Sequence, residues 1–184
     1  MKPRLGDRCG SETARAVGRL LEDAGRWVAP LGRPEWAFDL TLVSDGVMGD
    51  LNGRFRGREA VTDVLSFSGL EEVGAGPPDL AAGQAGAGTD LWLDPLHADD
   101  PVGMGEISGV GEIILAPDFI ARRCAAQGWP LEKEIPMLVV HGCLHLLGWD
   151  HEEEERGRAM RRLESERLAA CGLEHPLVGA KEDD

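Results

Sequence analysis

Apolar residues recur at helical spacing between residues 11 and 28. Ala14, Val17, Leu20, Leu21, Ala24 and Val28 share one face, and Ser11 stands where an N-cap belongs. Pro30, Gly32 and Pro34 break the pattern. Residues 36–43, WAFDLTLV, alternate and read as a strand. Ser44-Asp45 opens a second helix carrying Val47, Met48, Leu51 and Phe55, with Gly57 as its stop. Residues 61–67, VTDVLSF, and 111–115, GEIIL, read as further strands. Pro117 suits the first turn of a helix reaching about Gln127, which Gly128 terminates. Residues 131–147 are helical and strongly apolar toward their end. Pro136 either marks the start of that helix or kinks it, and Gly148 closes it. Residues 152–171 form the last helix, with Glu152 to Glu155 at its positive end and Arg156, Arg158, Arg161 and Arg162 following. Strands interleaved with helices predict an α+β (mixed α/β) fold built on a small sheet.

One stretch departs from this rhythm. Residues 69–111 hold 10 Gly and 4 Pro, and 8 acidic residues against no basic ones. Such a composition buries too little to order itself easily, so it reads as an exposed insertion at about 69–110 in an otherwise single domain spanning 1–184. Leu91-Trp92-Leu93 within it reads as a short strand or a packing anchor. The insertion also carries more than half of the formal charge of −14, whereas residues 1–68 are balanced, with 10 basic and 10 acidic residues. Net charge therefore argues against tight, nonspecific polyphosphate binding, but leaves room for a local basic site at Arg54, Arg56 and Arg58. No window approaches 18 consecutive apolar residues, and the first residues lack the apolar core of a secretory signal. Four scattered cysteines, without a CxxC pair, fit a reducing cytoplasm.

Chemistry concentrates in HGCLHLLGWDH, residues 141–151. His141 and His145, four apart on a helix, present both rings on one face. Gly148 lets the chain turn back to bring His151 beside them. Three neutral imidazoles suit Zn²⁺ and leave a fourth position open, where a metal lowers the pKa of water or polarises an oxygen. Cys143, two residues from His141, faces away. His97 and His175 fall outside the pattern and read as surface residues. The spacing is shared with the metzincin zinc peptidases, which predicts a zincin-like metal site. Yet the glutamate those peptidases need as general base is replaced by Gly142, which disfavours peptide hydrolysis.

Upstream, LNGRFRGREAVTDVLSF (51–67) joins a helix end to a basic turn and a strand. An arginine fork there can hold a phosphodiester or meet its developing charge. Taken with HGCLHLLGWDH, with GEIIL at 111–115 and with the helix start at Ser44-Asp45, this stretch resembles the YbeY family of metal-dependent, single-strand-specific endoribonucleases of rRNA maturation. The likeness covers about residues 36–68 and 111–171. It implies a four-stranded sheet with helices around a metal cleft, His141, His145 and His151 as ligands of one Zn²⁺, and Arg56 as a residue important for activity. It further implies single-stranded rRNA at the 16S 3′ region as substrate, the small ribosomal subunit and its assembly proteins as partners, and a part in ribosome quality control. Position 68 is Ser where that family often has Pro, and the 69–110 segment is longer and richer in Gly than its usual connection. Asp150, Glu153 and Asp63 are candidates for the general base. Two other readings stay open: a noncatalytic zinc-containing assembly factor, and a zinc peptidase.

Overall fold

Two serines start helices as the sequence predicts. Ser11 Oγ accepts the backbone N–H of Ala14 at 3.0 Å, and Ser44 Oγ accepts that of Val47 at 3.5 Å. The computed structural model describes residues 1–32, 36–69 and 110–174. Their elements, in order, are β1 (Lys2–Asp7), α1 (Glu12–Leu21), α2 (Ala24–Val28), a 3₁₀ turn (Ala29–Leu31), β2 (Ala37–Leu42), α3 (Asp45–Arg56), β3 (Val64–Ser68), β4 (Gly111–Leu115), α4 (Pro117–Gln127), α5 (Leu131–Leu146) and α6 (Glu154–Ala170).

The four strands form one sheet in the order β1-β2-β4-β3. β1 and β2 pair in parallel, as do β2 and β4, while β3 runs antiparallel to β4. β4 is flanked on both sides and buried at every residue; its Ile113-Ile114-Leu115 run suits that burial, and the carboxylate of Glu112 accepts from Thr41 Oγ1 at 2.5 Å. One face of the sheet, through Phe38, Leu40, Leu42, Ile113 and Leu115, shares a core with α1, α2, α5 and α6. The other face, through Leu65, Phe67 and Ile114, packs against Met48 and Leu51 of α3. This is the mixed α/β fold with a small sheet that the alternation of elements predicts.

The differences from the sequence reading have physical causes. β1 was not expected. It is an edge strand containing Pro3 and Gly6, has no clean alternation, and gains its hydrogen bonds only from β2, far along the chain. The predicted 11–28 helix is two helices, broken at Glu22-Asp23, although Val17, Leu21, Ala24 and Val28 still line one core. The strand expected at 61–67 is β3, which begins at Val64. Pro136 neither starts nor ends α5 but lies buried inside it, and the carbonyl it leaves without an intrahelical donor belongs to the exposed Glu132. The expected insertion at 69–110, with Leu91–Leu93, lies almost wholly outside the described residues.

α5 reaches the sheet through Gly142. Its backbone sits over the cross-strand pair Ile113–Ser66, and a Cβ built there would lie 3.0 Å from two Ile113 carbons and from Ser66 Oγ. Ser68 Oγ donates to the Leu146 carbonyl at 2.9 Å and ties the same helix to the end of β3. Arg123 of α4 bonds both Asp63, at the start of β3, and the buried Glu134 of α5. The last turns of α3 and α5 thus come to one end of the sheet, on opposite faces, beside the edge strand β3.

Candidate metal centre

Helical geometry places His141 and His145 one turn apart on α5, with Nε2 atoms 3.0 Å from each other. The helix then ends in a Schellman motif: Trp149 N–H donates to the Leu144 carbonyl at 3.0 Å and Gly148 N–H to the His145 carbonyl at 3.0 Å. Gly148 takes φ +83°, a conformation most side chains avoid, so the chain reverses within one residue. The reversal brings the Trp149 carbonyl back to His145 Nδ1, at 2.9 Å. It also brings His151 beside the other two rings, with centroids 5.5 Å from His141 and 5.1 Å from His145. One ligand atom from each of the three histidines lies within 4.8 Å of the others.

His151 stands on a linker fixed from both sides. Asp150 Oδ1 accepts the N–H of Glu152 at 3.3 Å, and Asp150 Oδ2 pairs with Arg156 at 2.6 Å. Gly157 of α6 is buried with no side chain, and the His151 backbone packs against it. Behind His141 stands Glu164 of α6, whose carboxylate accepts from Nδ1 at 2.7 Å and is only 4% exposed.

These contacts settle whether the cluster suits a metal. A carbonyl only accepts, so the Nδ1 of His145 carries its proton, and an ionised carboxylate demands the same of His141. Both Nε2 atoms then carry lone pairs, 3.0 Å apart, which repel unless a cation lies between them. Tetrahedral bonds of about 2.0–2.1 Å would set such atoms about 3.3 Å apart, a few tenths of an ångström from what is seen. The donor set therefore fits a divalent ion of borderline character.

Burial holds the His145 imidazole at about 4, below its ordinary 6.5, and charge on His141, His151 and Arg56 acts in the same direction, while the bond to Trp149 opposes it. The unfolded chain takes up a proton near 6.5 that the folded chain refuses until about 4. Metal-free protein is therefore expected to lose stability as the pH falls from about 6.5 to 5, before most carboxylates titrate. Urea unfolding of chelated protein across that range measures it, and His145→Ala should flatten the slope.

Arg56 is the last residue of α3 and exposed. Gly57, at φ +65°, ends the helix there. Asn52, 5% exposed, donates through Nδ2 to the Ala60 carbonyl at 2.6 Å and folds the basic turn back onto the helix. Phe55 meets Phe67 edge to face at 4.9 Å, anchoring this end of α3 over the sheet. The charge of Arg56 acts on the His145 imidazole in the same direction as its burial.

Of the three candidate bases, Asp63 is held by Arg123 and by the N–H of Val64, and Asp150 by Arg156. Glu153 is exposed at the N-cap of α6 and makes no capping bond. Cys143 is fully buried away from the cluster, and burial pushes its thiol far up. His97 and His175 lie outside the described residues. Glu164 and the Trp149 carbonyl were missed from the sequence. A signal for Glu164 existed: it stands on the stripe Gly157, Met160, Glu164, Leu168, the buried face of a helix charged elsewhere.

Sheet, helices and triad together define a mixed α/β protein with a three-histidine site able to hold a metal ion. The family profile described as Endoribonuclease YbeY matches residues 13–172. Relatives named Endoribonuclease YbeY include one from Moorella thermoacetica, 34% identical over 164 residues, covering 89% of this chain and 90% of its own. Another, from Frankia alni, is 32% identical over 166 residues, covering 90% of this chain and 77% of its own. A third, from Xanthomonas campestris pv. campestris, is 33% identical over 159 residues, covering 85% and 83%. The chain belongs to the endoribonuclease YbeY family.

Proposed function

We propose that this chain is a zinc-dependent endoribonuclease that cuts single-stranded RNA. In this reading His141, His145 and His151 hold one Zn²⁺ and Arg56 faces the scissile phosphodiester. The observation that carries the reading is the gathering of three imidazoles, one of them on an exposed linker, with a ligand atom of each within 4.8 Å of the others. The names of the relatives supply the substrate class. The same resemblance extends the reading to the 3′ region of 16S rRNA, to ribosome quality control with the small subunit and its assembly proteins, and to the cytoplasm. Among the described residues no helix is long and apolar enough to cross a membrane.

When bound, the zinc ion would supply Lewis-acid activation at the phosphate or at water. The chain does the rest. His141 and His145 hold their Nδ1 protons on Glu164 and Trp149, which leaves both Nε2 atoms for binding. Arg56 neutralises charge that grows on the phosphoryl oxygens, and Asn52 keeps the turn that carries it in place. Asp63 and Asp150 already serve ion pairs, so of the carboxylates considered Glu153 is the one free to move a proton. Gly142 packs against Ile113 and Ser66 and offers no base, which weighs against a peptidase.

The test is cleavage of a single strand spanning the 16S rRNA 3′ end, against the same sequence in duplex. Zinc-loaded protein should cut the single strand alone, and chelation should stop it. No cutting of either substrate would favour the noncatalytic assembly factor. Arg56→Ala should slow cleavage roughly 100-fold with zinc content unchanged. Loss of zinc from that variant would make Arg56 structural.

A further inference from the structure

The geometry assigns to Glu164 the role of a positioning residue that sets the affinity of the three-histidine site for its metal ion. This rests on the reading that the site holds a metal, and adds a residue outside HGCLHLLGWDH. The two α5 histidines have unlike outer partners. His145 donates to a neutral backbone carbonyl, His141 to a carboxylate at 2.7 Å that is 4% exposed. A carboxylate accepting Nδ1–H fixes the tautomer and makes Nε2 a stronger donor to a cation. It also places a negative charge within two bonds of the ring, where little water screens it.

Three neutral imidazoles leave the full double charge of the ion uncompensated, and Glu164 reduces it to a single net charge while making no bond to the ion itself. Its placement is a product of packing. Met160 and Leu168, one turn to either side on α6, are buried in the main core and hold the carboxylate against α5. Glu164 and His151 both belong to the segment after Gly148, so that segment would meet α5 at two points, through the Glu164–His141 hydrogen bond and through an ion shared with His151. An acidic side chain on a buried stripe is costly unless its charge is used. A structural role alone, joining α6 to α5, would be met as well by glutamine, which accepts the same hydrogen bond without the charge. That difference makes the proposal testable.

Full-length wild type, Glu164→Gln and Met160→Leu are stripped of metal and titrated with Zn²⁺ against a chromophoric chelator. Co²⁺ absorption reports the ligand field, and thermal unfolding of the metal-free proteins reports the fold. Glu164→Gln should bind Zn²⁺ about 10- to 100-fold more weakly, with shifted Co²⁺ bands and a metal-free Tm within a few degrees of wild type. Met160→Leu, which disturbs the same face and keeps the carboxylate, should retain wild-type affinity. Equal zinc affinity in Glu164→Gln and wild type would overturn the proposal, as would an equal loss in Met160→Leu. If Glu164→Gln fails to fold, Glu164→Asp should fold and bind more weakly than wild type, and undiminished binding there overturns the proposal. A wild type that takes up no zinc would overturn the metal-site reading itself, an outcome distinct from the others.

Discussion

Gly142→Glu is expected to cost the chain most of its stability and to gain no peptidase activity. The position is where a zinc peptidase of like spacing carries its base, so the exchange looks at first like a repair. The surroundings say otherwise. A Cβ there meets Ile113 and Ser66 at 3.0 Å. Ile113 is fully buried on β4 between two strands, so its side chain can make room only by disturbing the packed core around it. Overpacking alone costs about 1–3 kcal/mol. A carboxylate forced between α5 and the sheet without a partner adds several more. Against a total of roughly 5–15 kcal/mol for a domain, the sum leaves little folded protein. Gly142→Ala separates the terms, since it meets the same contact but recovers about 0.5–1 kcal/mol of helix propensity. A net loss of about 1 kcal/mol, or a Tm lower by about 2–4 °C, is expected. Thermal and urea unfolding check both variants. A Gly142→Glu protein that melts like wild type would mean that α5 does not approach the sheet this closely.

Gly142 also shows what was legible in the sequence. Its identity disfavoured the peptidase reading, because glycine moves no proton. Its structural reason, a helix lying on a cross-strand pair, needs the sheet and could not be read from one segment. The same division holds elsewhere. Helix ends marked by serine caps or by Gly57, Gly128 and Gly148 fall where the sequence puts them, because capping is local chemistry. The meeting of His141, His145 and His151 was legible because one helical turn and one reversal suffice to make it. β1 was not, since parallel pairing with β2 gives it the hydrogen bonds its own sequence does not advertise. Nor was Glu164, which stands among several other acids on a charged helix. Only the packing of α6 on α5 shows that it is the acid facing inward. Arg56 is intermediate: its basic turn was visible as a motif, and the place of that turn over the sheet comes from the packing of Phe55 on Phe67.

His145→Ala should abolish zinc binding at working concentrations and, with it, RNA cleavage. His145 is the best test of the triad because burial lowers its imidazole pKa and its outer partner is backbone, which no second substitution can mimic. Protein zinc sites release about 10–16 kcal/mol with four ligands. Removing one of three therefore forfeits at least about 2.5 kcal/mol, or roughly 100-fold in affinity. The fold should suffer less. The lost bond to the Trp149 carbonyl is worth about 1 kcal/mol, and the repulsion between two Nε2 lone pairs disappears with it. Metal-free wild type and variant should thus melt within a few degrees of each other. Zinc at 100 times the wild-type Kd should then raise the Tm of the wild type by about 5–10 °C and that of the variant by no more than about 1–2 °C. The two proteins, purified identically and given the same single-stranded RNA, complete the argument. Cutting by wild type alone ties cleavage to the triad. Equal cutting assigns it to a copurifying nuclease. A wild type that gains thermal stability from zinc yet cuts nothing would keep the metal centre and transfer the function to assembly on the ribosome.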